Sequence, residues 1–361
     1  MTPAGPDVLA AGSDRPPRRV PRGGLALAVL AAASAAVLVL RGPRPAHSPG
    51  PLPPPATATA TAAVARLYVA SCTPDTVVRL DRYGEPVRLA GTPGSGTSAD
   101  GHPVATGRSD CPDGLVFDAA GLLHVVGPEA SNLRLVGADG GVRSLDGRLR
   151  DKRRSLGLRA MLQSPDAVAV DRHGLIYVGE LTGNRVLRAD ARGDVHPLRA
   201  AGPAPQPVRD PARPALLAVL NDLSVCFADG GTNSVYRVDR DGRTSRLAGT
   251  GVPGGRGDGG QAALAQLDDP RDIAVDPVGR LYVSEGAGHR VRRIELDGTV
   301  HTVAGTGAPG STGDGGPATA ATVTTPGDLA VGPAGDLFIV DLAAAAVRRV
   351  MPDGRIVTLG N

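Results

Sequence analysis

The sequence predicts an all-β fold: a six-bladed β-propeller of four-stranded antiparallel blades, preceded by one N-terminal transmembrane helix. Three observations carry that expectation. Short apolar runs alternate with Gly-, Pro- and Asp-rich breakers along most of the chain. One unit recurs six times at fixed internal offsets. A single uncharged run of 17 residues, 24–40, stands near the N-terminus.

Residues 270–307 are the clearest copy of the unit. Apolar runs at Ile273–Asp276, Leu281–Glu285, Val291–Glu295 and Val300–Ala304 are separated by Gly- or Asp-containing turns, with Pro277-Val278-Gly279 the first of them. Short strands bounded by such breakers read as an antiparallel meander. One meander cannot cover both of its faces, so it needs neighbours of its own kind.

Aligned on the middle of the second strand, the copies centre on Tyr68, His124, Tyr177, Cys226, Tyr282 and Phe338. Twelve positions earlier lies a proline in five of them: Pro112, Pro165, Pro214, Pro270 and Pro326. Three positions earlier lies a turn glycine in four: Gly121, Gly174, Gly279 and Gly335. Nine positions later every copy is apolar (Val77, Leu133, Val186, Val235, Val291, Val347). Two further on, five carry Arg: Arg79, Arg188, Arg237, Arg293 and Arg349. Fixed offsets within the unit and 49 to 56 residues between units describe a rigid supersecondary element with tolerant connections. In the first copy this register places the innermost strand at Thr57–Ala62, and in the last the fourth strand at Ile356–Leu359.

Composition narrows the function classes. With 50 Gly, 33 Pro, 8 aromatics and no Trp, the core must be built from Val, Leu, Ile and Ala. The formal charge of +3 belongs to the N-terminus: residues 1–50 carry six Arg against Asp7 and Asp14, leaving about −1 for the rest. Phosphate neutralisation needs a basic domain, so nucleic acid is excluded as a partner.

The N-terminal third divides by composition. Residues 1–23 form a basic tail expected in the cytoplasm. Residues 24–40 are expected to be a transmembrane signal anchor, with a cleavable signal peptide ending at Ala33-Ser34-Ala35 as the alternative. Residues 41–56 are a Pro-rich linker, and 57–361 the propeller. The expected location is therefore the cell membrane, single-pass, with the propeller extracytoplasmic, or else secretion.

The pattern P-x-x-[IL]-A-V-D-x-x-G-x-L-Y-V-x-[DE]-x-x-x-[NH]-R-[VI]-x-R resembles the NHL repeat. The connections AGTGVPGGRGDGGQAALAQLDDP and AGTGAPGSTGDGGPATAATVTTP resemble those of bacterial extracytoplasmic NHL proteins and the NHL region of teneurins. The resemblance covers about 57–361. It implies a propeller that binds proteins, RNA or small ligands as a sensor or scaffold. Some six-bladed relatives of that shape are lyases or lactonases.

Candidate site residues follow from the unit. The second strand ends on an acid in four successive copies: Glu180, Asp229, Glu285 and Asp341. Four positions later stand Asn184, Asn233 and His289. A polar arc on one face is suited to a cation or polar ligand. The competing account is that each acid accepts backbone N–H groups in its own turn or pairs with a nearby Arg such as Arg185 or Arg290. The loops at Asp100-Gly101, Asp258-Gly259 and Asp314-Gly315 invite calcium, but each offers one Asp where six or more oxygens are needed. A tight turn followed by a short Ala-rich helix is the plainer account. Histidines are too scattered for a zinc site. No nucleophile elbow, P-loop or H-E-x-x-H occurs. Cys72 and Cys111 belong to loops on one face of adjacent units and are a candidate disulfide. Cys226, in register with Tyr177 and Tyr282, is expected to be a buried free thiol.

The expected function is an extracytoplasmic binding, sensor or scaffold module at the cell envelope. It would recognise an envelope protein or polar ligand through one propeller face, with no cofactor beyond a divalent cation. The alternative is a divalent-metal-dependent hydrolase or lyase using the acidic loop face.

Overall fold

The structure, a computed structural model, describes residues 217–359 apart from 242, 333 and 345. Upstream it describes 37–41, 66–71, 76–80, 86–90, 114–117, 123–127, 132–136, 142–144, 162, 165–171, 173–180, 185–189 and 195–198. Among these residues the fold is all-β.

One four-stranded sheet is composite. Its strands are β1 (Val37–Arg41), β2 (Arg66–Ser71), β3 (Thr76–Leu80) and β4 (Pro86–Ala90), in that order. Five blades then follow one plan. They are β5 (Gly114–Phe117) to β8 (Val142–Ser144), through β6 (Leu123–Gly127) and β7 (Asn132–Val136); β9 (Pro165–Val170) to β12 (Val195–Pro197), through β10 (Ile176–Glu180) and β11 (Arg185–Ala189); β13 (Leu217–Val219) to β16 (Thr244–Ala248), through β14 (Val225–Asp229) and β15 (Ser234–Val238); β17 (Pro270–Val275) to β20 (Val300–Ala304), through β18 (Leu281–Glu285) and β19 (Arg290–Ile294); and β21 (Pro326–Val331) to β24 (Ile356–Thr358), through β22 (Leu337–Asp341) and β23 (Ala346–Val350). Innermost strands of successive blades lie side by side, and β1 lies against both β5 and β21.

The expectation of six like blades behind a transmembrane helix is corrected. Five blades each come from one contiguous stretch. The remaining sheet takes its first strand from within the supposed helix, where Val37-Leu38-Val39-Leu40 pairs antiparallel with β2, Val37 opposite Ala70 and Arg41 opposite Arg66. No helix of the described residues is long and apolar enough to cross a membrane. An alternating Val-Leu run suits a buried strand as well as a helix, because β-branched residues fit the pleated surface. Residues 57–62, expected to fill this place, lie outside the described residues.

Within a blade, local chemistry sets the turns. Asp276 ends the first strand of the β17–β20 blade, and its Oδ1 accepts N–H bonds from Val278, Gly279 and Arg280 at 3.1, 2.9 and 2.8 Å. Gly279 sits at φ 101°, a conformation that favours glycine. Asp171 does the same work two blades earlier, accepting from His173 and Leu175.

The core lies between blades. Ala218, Cys226, Ala228 and Val235 of one blade meet Ile273, Leu281, Val283, Ile294 and Val300 of the next, with Ala262, Ala265 and Leu267 of the connecting loop filling the seam. The short Ala-rich helix expected in this loop is a single 3-10 turn, Ala262–Leu264. Cys226 is buried and free, as expected, and burial pushes its thiol up to about 12. Cys72 and Cys111 lie outside the described residues.

The placement of β1 predicts slow backbone exchange. In a hydrogen-exchange experiment at neutral pH, residues 37–41 should be protected to the same degree as their partners 66–71. Exchange at the rate of an unpaired chain would contradict the pairing.

Candidate functional site

The turn between second and third strands and the long loop leading into each blade meet on one face. Both ends of this contact are visible in the last two blades. The second strand's terminal acid sits opposite the proline that opens the first strand: Glu180 opposite Pro165, Glu285 opposite Pro270, Asp341 opposite Pro326. In the last two blades a register shift follows the proline, because proline has no N–H to donate.

The acids answer that irregular start. Thr324 and Thr325, just ahead of Pro326, donate their N–H groups to Asp341 at 2.7 and 2.9 Å, and Ala344 adds a third at 3.3 Å. Asp229 accepts from Gly231 and Thr232 N–H and from the Thr232 hydroxyl at 2.6 Å. Glu285 has no exposed surface and faces Arg292 at 3.3 Å and Arg290 at 4.0 Å. Burial pushes its carboxyl up to about 8, outweighing the two guanidinium groups and the Asp268 N–H. Glu180 is buried at the end of β10. Asn184 lies outside the described residues.

Asn233 and His289 staple one blade to the next. Both sit at positive φ, 48° and 51°. Asn233 Oδ1 accepts the N–H of Asp269, in the loop leading into the following blade, at 3.0 Å. His289 Nδ1 meets the carbonyl of Thr324, the corresponding loop one blade on. The structure thus engages Asp229, Glu285, Asp341, Asn233 and His289 each in its own blade or seam. No group of three His, Cys, Asp or Glu side chains able to hold a metal occurs among the described residues.

A residue the repeat alignment passed over organises the face. Arg292, one position after the aligned apolar Val291, has no exposed side-chain surface. It ion-pairs with Asp258 of the lead-in loop at 2.6 Å and with Glu285 at 3.3 Å. Arg348 repeats this one blade later, meeting Asp314 at 2.7 Å and donating to the carbonyls of Thr322 and Thr312. Burial works against ionised Asp314, but bonds from Thr358 and Arg348 hold its carboxyl below the usual range. The G-D-G aspartates are therefore neutralised by arginine, which removes the net charge a calcium loop relies on. The sequence held a signal for this: Asp and Arg stand 34 residues apart in both blades. Asp100 and the buried Arg134 on β7 keep the same spacing, although Asp100 lies outside the described residues. The Arg that recurs in five repeats is less consequential. Arg293 and Arg349 pair at the blade edge with Glu295 and Asp336, half-exposed and of small energetic weight.

A second group missed by sequence lies on the innermost strands. Asp272 is buried on β17, and its carboxyl accepts N–H bonds from Ile273 and from Leu329 of the neighbouring β21. Burial pushes it up to about 7 against those two bonds.

What remains open to solvent on this face is the loops' outer rim. Val252 is 54 % exposed and Arg256 is exposed, both on the loop leading into the β17–β20 blade; Leu264, 76 % exposed, lies where the same loop bonds to the β19–β20 turn at Gly298 and Thr299. The next loop has Ala320 and Ala308 at the matching positions.

No protein-family model and no curated protein sequence matches the chain. Solved structures do match, and they are β-propellers. A Bacteroides thetaiotaomicron protein of unknown function aligns with TM-score 0.59 at 17% identity, over 79% of this chain and 66% of its own. An auxiliary nutrient binding protein from the same species aligns at 0.57 and 15%, over 81% and 66%. A streptogramin B lyase aligns at 0.51 and 16%, over 82% and 79%. At such identities the likeness shows the fold alone.

Two outcomes follow from the buried pairs. Arg292→Ala leaves a cavity where a fully buried side chain stood and frees the lead-in loop from its blade, so urea unfolding should show a loss of about 2–5 kcal/mol, several times that of Arg293→Ala. Glu285 has a folded pKa above its unfolded value, so ionising it costs the folded state. Its contribution to stability is present below about 4.5 and lost as pH rises towards about 8. Glu285→Gln should flatten the stability–pH profile across that window.

Proposed function

We propose that the chain is an NHL-type propeller acting as an extracytoplasmic binding or scaffold module, with the loop face as the contact surface. The observation that supports this most is where the acids go. Asp229, Glu285 and Asp341 are each engaged within their own blade, so the face is a rigid platform and its recognition elements are the exposed loop residues. A rigid backbone carrying varied loops is how repeat folds present binding surfaces. The auxiliary nutrient binding proteins among the structural neighbours share the architecture, and a binding role is in keeping with theirs.

The alternative, a divalent-metal-dependent hydrolase or lyase, has the streptogramin B lyase as its fold-level parallel. It needs carboxylates free to converge on an ion, and the bonding of Asp229, Glu285 and Asp341 runs against it. The binding reading calls for no cofactor.

The test uses one altered residue on each face. A partner captured by the chain should be released by Val252→Asp or Arg256→Glu on the loop face. It should be held by Leu296→Asp on the opposite face, in the β19–β20 turn, where Leu296 is exposed at 74 %. Release by Leu296→Asp alone would place the surface on the wrong face.

A further inference from the structure

The strand β1 settles a competition written into the N-terminus. Residues 24–40 can form a membrane helix only if 37–40 are in the bilayer. The same residues form the innermost strand of the first sheet, paired with β2 along its full length and lying between β5 and β21. The two states exclude each other. A chain with this sheet cannot keep 24–40 as a spanning anchor.

What precedes the strand has the three parts of an export leader. A basic segment, with Arg15, Arg18, Arg19 and Arg22, comes first. An uncharged stretch, Gly24 to Ala32, is nine residues long, the length of a leader's apolar core and about half of a span. Ala33-Ser34-Ala35 then supplies small residues at the two positions a leader peptidase reads. The apolar Val37-Leu38-Val39-Leu40 is an odd sequel to a cleavage site if it has nowhere to go. The fold gives it a place.

We propose that the chain is cut between Ala35 and Ala36, and that the new N-terminus carries β1 directly into the sheet. The step is a hydrolysis: a leader peptidase adds water across the Ala35–Ala36 amide, leaving a carboxylate on Ala35 and a free amino group on Ala36. One residue then separates the new terminus from Val37, so release and completion of the first sheet are linked. While the leader holds 37–41 at the membrane, β2 keeps an open edge and β5 and β21 lack the strand between them. Cleavage removes the anchor and frees the strand in a single event.

The test is to express the full chain in a secretion-competent bacterium and sequence the N-terminus of the exported product. A product beginning at Ala36 in the soluble extracytoplasmic fraction is the expected result. A product that keeps residues 1–35, or that begins downstream of Val37, would overturn the proposal. Ala35→Leu places a large residue where the peptidase needs a small one, and it lies outside the sheet. The shortened product should disappear, and the uncut, membrane-held chain should be digested by added protease faster than the exported wild type. Cleavage of Ala35→Leu at the unchanged bond, or equal protease resistance of the uncut chain, would each contradict it. Loss of partner binding would not bear on this result, which reads only the position of the new terminus.

Discussion

A guanidinium with no exposed surface, buried between a strand and a loop, is the interaction on which the loop face depends. Removing Arg292 or Arg348 from water is costly unless every charge and donor finds a partner. The partners come from three directions: an aspartate of the lead-in loop, carbonyls of the same loop, and in one blade the glutamate that closes the second strand. That demand fixes a loop of more than twenty residues onto its blade. It also consumes the carboxylates that a cation would need.

The fold was legible where the physics is local. Strand spans in 270–307 follow from alternation and from Asp-x-x-Gly turns, and the structure places three of them within one residue and starts the first of the four three residues earlier, at Pro270. The fixed offset between proline and terminal acid was visible too. Its reason was not, because it depends on a register shift that only pairing reveals: the proline start leaves N–H groups of the preceding residues to be met by the acid. Asn233 and His289 were singled out as polar and candidates for a ligand. Their backbone conformation and their reach to the next blade's loop are tertiary facts that spacing alone does not carry.

The N-terminus misled for a definite reason. A run of small and apolar residues without charge scores equally as helix, leader or buried strand, and length was the only discriminator available. The strand's partner lies some thirty residues downstream, beyond the reach of any periodic signal. The Asp–Arg pairs were missed for the opposite reason. Their 34-residue spacing is plain in the sequence, but the alignment gave weight to the Arg recurring in five units, which proves to be a blade-edge residue. The rarer Arg beside it, found in the blades whose lead-in loop carries Asp-Gly, is the one held inside.

The account's central claim is that the acids of the loop face are framework, committed to arginine and backbone, with recognition left to the exposed rim. Thermal unfolding with and without millimolar calcium tests it most directly, on the wild type and on Asp258→Asn. The predicted result is a wild-type midpoint that calcium does not move, and a variant midpoint lowered by the same amount in both buffers. A wild-type midpoint that rises with calcium, by an increment that Asp258→Asn abolishes, would contradict it.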